Sequence, residues 1–167
     1  MVWSGPSTGL VPIRHTEQVL CEVIESARHR IFLVSFVAYE VETIMKALQA
    51  AIGRGVRIDV LLEASKEHGG KVSVDSVGTM RDRIPDANVF VWTADGGKMT
   101  DGRPIGSVHA KCAVADGRIA FLTSANLSQA AMERNMELGV LVRGGHLPEE
   151  LHRHLEALIS TEMVETV

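Results

Sequence analysis

The sequence predicts an α/β domain with a mixed β-sheet flanked by helices. Three observations carry that reading. Apolar runs of helical period and of strand length alternate from Thr16 to Glu63, Asp116-Gly117 joins two apolar runs as a hairpin, and an amphipathic helix closes the chain from Pro148 to about Met163. At 167 residues the chain makes one domain, 1–167, long enough to bury a sizeable core.

Each element has its own local cause. From Thr16 to Ala27, apolar Val19, Leu20, Val23, Ile24 and Ala27 recur at helical spacing. "RIFLVSF", Arg30 to Phe36, is an apolar run of strand length. A second helix is expected from Val41 to Ile52, ended by Gly53 or Gly55, and "VRIDVLLE", Val56 to Glu63, is the next strand. This β-α-β order favours parallel pairing through a right-handed crossover. Residues 76–83 are expected as a short helix and Asn88 to Trp92 as a strand. Val108–Val114 and Ile119–Ser124 flank "ADGR", whose Asp-Gly pair is a hairpin signal, and Met136–Val142 is a further strand. Two loops stand out: Thr93 to Ser107, glycine-rich with Lys98 and Arg103, and "ASKEHGGK", Ala64 to Lys71. The second follows a strand, where parallel sheets often place ligands.

Composition narrows the function classes. Hydrophobic residues are 46% and charged residues 23%, the balance of a globular protein rather than a disordered one. No window approaches the ~18 apolar residues of a membrane span, and "MVWSGPSTGL" lacks the basic segment and apolar run of a signal peptide. Two cysteines, Cys21 and Cys112, are too few for a disulfide framework, so a cytoplasmic location is expected. The net charge of −4 disfavours polyanion binding over the whole surface. Residues 66–118, however, hold eight Lys/Arg and seven Asp/Glu, while the segment from Pro148 adds five glutamates. A polyanion would have to be met at a local site.

Polar residues recur two apart on three neighbouring segments. On a strand, His109 and Lys111 share one face while Val108, Ala110, Cys112 and Val114 enter the core from the other. Ser124 and Asn126 fall together after the next strand, and Asn135 and Glu137 fall together before the one after, opposite Met136, Leu138 and Val140. Paired, the segments gather one cluster. Lys111 and the Asn126 amide can hold phosphate oxygens, with the Ser124 hydroxyl as a further donor. His109 can attack phosphorus, and Glu137, accepting from the other ring nitrogen, would fix its tautomer. Asp116, in the turn, is expected to brace the hairpin, with Asn135 in a supporting role beside Glu137. No metal site is expected: His152 and His154 point apart on a helix, and the cluster lacks a second nearby histidine. Gly96-Gly97-Lys98 lacks P-loop spacing.

"HAKCAVAD" reads as His-x-Lys-x4-Asp, and with "TSAN" and "ERNMELGVLV" downstream the chain resembles the phospholipase D superfamily. That family's pattern places Gly-Ser-x-Asn seven residues after the aspartate; here Thr123 replaces the glycine, with Ser124 and Asn126 in place. "RGVRIDVLLE" and the elements before it resemble the family's first β-α-β portion. More narrowly, "VWSGP", "HAKCAVAD" and "TSANLSQAAMERNMELGVLV" together resemble the phospholipase D-like component of the DISARM anti-phage defence system. Members of that group carry a further segment before the Trp-x-Gly-Pro stretch. This chain starts at that stretch, as a truncated form or a short relative would.

The resemblance implies a phosphodiesterase needing no cofactor. One histidine forms a covalent phosphohistidine and a second protonates the leaving oxygen, then activates water for hydrolysis; the Lys and Asn donors stabilise phosphoryl charge. With one His-x-Lys motif per chain, the second histidine is expected from a homodimer with a shared site. Small single-motif members resemble bacterial nucleases, so the expected substrate is nucleic acid, DNA or RNA, with other subunits of a defence system as partners. Two alternatives stand beside this: phospholipid phosphodiester cleavage or phosphatidyl transfer, and a non-catalytic nucleic-acid-binding or scaffold subunit. With no basic or apolar membrane-binding helix, stable membrane association is not expected.

Overall fold

The computed structural model describes residues 1–39, 41–64, 75–92 and 106–167. The 64–71 and 93–107 loops, including Lys98 and Arg103, fall largely outside the described residues. Sixteen elements follow one another: β1 (Val2–Ser4), β2 (Arg14–His15), α1 (Thr16–Ser26), β3 (Arg30–Ser35), β4 (Ala38–Tyr39), α2 (Glu42–Gly53), β5 (Arg57–Leu62), α3 (Ser76–Arg83), β6 (Asn88–Val91), β7 (Cys112–Ala115), β8 (Ile119–Thr123), β9 (Leu127–Ser128), α4 (Gln129–Glu133), β10 (Glu137–Arg143), α5 (His146–Ser160) and β11 (Glu165–Thr166).

Nine strands form one mixed sheet in the order β11-β6-β5-β3-β7-β8-β10-β1-β2. β3, β5 and β6 run parallel, as the crossovers require, and β7, β8 and β10 continue as an antiparallel meander. β4 and β9 pair separately, in parallel. One sheet face packs on α1 and α2 through Val19, Val23, Ile24, Ile44 and Leu48 against Ile31, Leu33, Ile58 and Val60. The other carries Phe32, Val34, Phe90, Cys112 and Val114 beneath Leu155 and its neighbours on α5. Two covered faces explain why β3 and β5 read as continuous apolar runs rather than as alternation.

The start of β7 departs from the expected strand. Only Cys112–Ala115 are laddered to β3 and β8, and residues 106–111 are irregular. Val108 still reaches the core, but Ala110 is exposed rather than buried, because alternation holds only where the chain is extended and paired. Two anchors hold this irregular segment. The Val108 N–H donates to the buried carboxylate of Glu63, 2.6 Å away, and the Lys111 carbonyl accepts from the Thr123 N–H at 3.1 Å.

At the far end of the hairpin, Asp116 sits at φ 53°. Its carboxylate accepts from the backbone N–H groups of Arg28, His29 and Arg30 at 2.8, 3.0 and 2.9 Å. It therefore braces the start of β3, rather than the hairpin itself as the turn position suggested. The hairpin is tied instead by His152 on α5, whose Nδ1 accepts from the Gly117 N–H at 3.2 Å.

Both groups make stability depend on acid. Burial would raise the Asp116 pKa, but the three backbone donors together outweigh it and hold the carboxyl below its ordinary value. That stabilisation is present above the unfolded aspartate value of about 3.9 and is lost as pH falls through the lower folded value. His152 is buried neutral, its pKa pushed down by burial and then by Arg30. The unfolded chain protonates this histidine near pH ~6.5, so stability declines below that pH. Asp116→Ala is expected to cost about 2–3 kcal/mol in urea unfolding at pH 7, since it strips three donors of a charged acceptor. A loss under about 0.5 kcal/mol would show the brace to be immaterial.

Candidate active site

Four chain segments meet at one edge of the sheet: the end of β3, the irregular run before β7, the turn after β8, and the start of β10. The antiparallel meander forces this, because the incoming end of β7 lies beside the outgoing end of β8, which lies beside the incoming end of β10.

His109 and Lys111 come from the irregular run. The imidazole is exposed and packs at 54° against the Phe36 ring, with centroids 5.9 Å apart. Among the described residues it has no hydrogen-bond partner, leaving its nitrogens open to a substrate. Lys111 is buried, its Nζ donating to the His109 carbonyl at 2.7 Å and lying 5.8 Å from the Phe36 ring centroid. Burial pulls the ammonium below its ordinary pKa, and the charge of Glu137 offsets part of that shift. Phe36 thus touches both motif residues. Nothing in the sequence pointed to it beyond its place at the end of an apolar strand.

The polar pairs of β8 and β10 do converge. Ser124 Oγ donates to Glu137 Oε2, and Asn135 Nδ2 donates to Oε1 of the same carboxylate at 3.3 Å. The Ser124 N–H also donates to the Leu138 carbonyl at 3.0 Å, and the Ser124 hydroxyl accepts from the Leu138 N–H at 3.1 Å. Both oxygens of Glu137 are therefore engaged by Ser124 and Asn135. The expected contact with the His109 ring is not made within one chain, and Glu137 acts instead on Lys111 through its charge.

Thr123 has a use of its own. Its hydroxyl donates to the Leu138 carbonyl at 3.2 Å and accepts from the Ala125 N–H at 3.1 Å, fixing the turn that presents Ser124 and Asn126. Ser35, at the end of β3, ties the other side of that turn by accepting from the Leu127 N–H at 3.1 Å. Asn126 keeps free capacity: its Oδ1 is buried and accepts no hydrogen bond. Turning the amide over exchanges oxygen for nitrogen with no change of shape, so that position can offer a donor. Among the described residues, no three His, Cys, Asp or Glu side chains gather as metal ligands.

An apolar cavity of about 360 Å³ opens beside His109, lined by Val34, Leu61, Trp92, Val108, Leu155 and Leu158 among others. Among the described residues, no helix is long and apolar enough to cross a membrane.

The chain is 30% identical over 140 residues to the DISARM protein DrmC of Bacillus paralicheniformis, covering 83% of this chain and 54% of that protein. It thus spans about half the length of that curated relative. Among solved structures, it resembles the phospholipase D family member Nuc of Salmonella typhimurium with a TM-score of 0.68 and 21% identity, over 90% of this chain and 89% of that one. NucT from Helicobacter pylori superposes with a TM-score of 0.70 and 22% identity, over 86% and 87%. A phosphatidylserine synthase of Haemophilus influenzae does so with a TM-score of 0.67 and 13% identity, over 99% of this chain but 39% of its own. These likenesses show the fold. The family model described as "Cardiolipin synthase, PLD-like domain" matches residues 20–159. With that match spanning most of its length, the chain belongs to the PLD-like domain family and so to the phospholipase D superfamily.

Proposed function

We propose that this chain is a nuclease that cleaves DNA or RNA phosphodiesters without a metal, through a covalent phosphohistidine, in a site shared by two copies of the chain. The observation that carries the reading is one juxtaposition. An exposed imidazole with uncommitted nitrogens stands two residues from a buried ammonium, and Ser124, Asn126 and Glu137 are assembled at the same sheet edge. An ammonium partly removed from water attracts phosphoryl oxygens more strongly than a solvated one.

The chemistry follows from those groups. One His109 attacks phosphorus, forming a P–N bond as the P–O bond to the leaving group breaks, and the second copy's protonated His109 gives its proton to the leaving oxygen. Water then loses a proton to that second imidazole and attacks phosphorus, breaking the P–N bond. Lys111 and the Asn126 amide, with Ser124 beside them, hold the non-bridging oxygens through both steps. Asn135 and Glu137 form the support of the phosphate side. The likeness to a DISARM protein and to Nuc and NucT supports nucleic acid as substrate, a role in anti-phage defence, and further defence-system subunits as partners, and a chain with only two cysteines fits a cytoplasmic location.

A second reading, phospholipid phosphodiester cleavage, is favoured by one observation, the apolar cavity with His109 on its lining. Incubation with single- and double-stranded DNA, RNA and phospholipid vesicles in EDTA separates the two. Cleavage of nucleic acid alone is expected; cleavage of vesicles alone would reverse the order.

Glu137 supplies a test that a merely structural residue would not pass. Its charge opposes the loss of Lys111 protonation. Lys111 serves phosphate only as the ammonium, so activity falls as pH rises through its pKa. Glu137→Gln is expected to move that alkaline limb of the kcat/KM profile to lower pH, with the fold intact by circular dichroism. An unchanged profile would assign Glu137 to the rim.

A further inference from the structure

At the opposite end of β7 from the candidate active site, a cavity of about 450 Å³ opens among Ser26, Arg28, Asp116, Arg118, Arg143 and Gly145. Backbone bonds bring its three arginines together from distant parts of the chain. The Asp116 carboxylate accepts from the Arg28 N–H at 2.8 Å. Arg143 pairs with Ile119 across β10 and β8, one residue from Arg118. The Gly144 N–H donates to the Arg118 carbonyl at 2.7 Å. All three side chains therefore start from fixed backbone.

The charge is not balanced. Three cations line the cavity with one carboxylate, in a chain whose net charge is −4. Asp116 turns that carboxylate to the N–H groups of Arg28, His29 and Arg30. Arg143 is ion-paired with Glu22, which also holds Arg14. Among the described residues, the Arg28 and Arg118 guanidinium groups have no carboxylate partner, and both residues are exposed. The helix ends reinforce the sign. Gly145 begins α5 on the cavity lining and offers no side-chain cap, so the positive end of that helix adds to the arginines. The negative end of α1, beside Ser26, is covered: Arg54 Nη2 donates to the Ile24 and Glu25 carbonyls at 3.1 and 3.4 Å.

We propose that this cavity is a second phosphate-binding site, one that holds the backbone of a nucleic-acid strand whose scissile phosphate lies at His109. The inference rests on the nucleic-acid reading above and adds a contact remote from the chemistry. A guanidinium fork matches the paired oxygens of a phosphodiester, and two uncommitted forks border one concavity. An acidic chain cannot attract a polyanion over its whole surface, so affinity has to be concentrated where cations outnumber carboxylates. The spacing suits a strand. Lys111 and Asp116 are five residues apart along β7, roughly 17 Å when extended, a span covered by about five nucleotides at the rise of a duplex strand.

The test reads binding in the His109→Ala background, so that the strand stays intact. Fluorescence anisotropy follows labelled DNA and RNA of about 24 nucleotides, single- and double-stranded, as salt is raised. Arg28→Gln/Arg118→Gln is compared with Arg81→Gln/Arg153→Gln, which removes the same charge from exposed positions outside this cavity. The cavity pair should weaken Kd about tenfold and lower the slope of log Kd against log salt by about 1.5–2, and the second pair should do neither. Equal losses from the two pairs would overturn the site and leave the nuclease reading intact. In parallel, the His109→Ala chain is treated with phenylglyoxal, which modifies arginines, with and without nucleic acid. Bound nucleic acid should protect Arg28 and Arg118 but not Arg81. If the cavity pair unfolds by circular dichroism, this footprint decides, and full modification of both arginines in the complex would overturn the site. Protection by pyrophosphate but not by nucleic acid would overturn it in favour of a free phosphate ligand. A chain that binds neither DNA nor RNA would overturn both the site and the nucleic-acid reading.

Discussion

Purified His109→Ala protein is expected to show no phosphodiester cleavage above background. In the proposed mechanism His109 acts twice: one copy forms the P–N bond, and the other protonates the leaving oxygen and then activates water. The substitution removes both roles, so its cost should exceed the ~10²–10³ typical of losing one charge-stabilising donor. That smaller loss is the expectation for Lys111→Ala and for Asn126→Ala, each of which leaves the nucleophile in place. The His109 variant is also a clean control, because the imidazole is exposed and its one described ring contact is Phe36. Loss of activity with an unaltered melting curve therefore reports chemistry. EDTA should leave the wild type active. Undiminished cleavage by His109→Ala, or activity that EDTA abolishes and a divalent ion restores, would sink the mechanism.

The sequence disclosed the scaffold unevenly, for physical reasons. The β3-α2-β5 portion and α5 were legible because each buries a long apolar face, and a face leaves a period in the sequence. The strands β1, β2, β4, β9 and β11 are two or three residues long and leave none. "VWS" becomes a strand because β10 presents an edge beside it, not from any preference of its own. Within the site, the motif placed His109, Lys111, Ser124, Asn126 and Glu137 at one sheet edge, and the structure brings Ser124, Asn135 and Glu137 into direct contact. What stayed hidden depends on contacts between distant residues. Glu63 reads as the polar end of a strand, yet it is buried and holds Val108, one residue before the histidine. Ser35 reads as an interruption in "RIFLVSF", yet it fixes the turn after Asn126. A buried polar group at the carboxyl end of an apolar strand is the one local signal that could have found both.

Mixing wild type with excess His109→Ala chains, under conditions where subunits exchange, is expected to poison the wild type. At a ~10:1 excess, about a tenth of wild-type chains find a wild-type partner under random pairing. Specific activity per wild-type chain should then fall about tenfold. A mixed dimer can still attack phosphorus with its one imidazole, but it has no acid for the leaving oxygen and no base for water. That asymmetry predicts a second result. A phosphodiester whose leaving group is a phenolate of low pKa needs no protonation, so mixed dimers should release one equivalent of phenolate and then stall as the phosphohistidine. Acid-labile phosphate on the wild-type chain would mark the stalled species. A structural reading of His109 predicts neither the burst nor the trapped phosphate. Mixed dimers that lose nothing per wild-type chain would show that each chain supplies both its nucleophile and its acid, and the second proton carrier would then have to lie within the same chain.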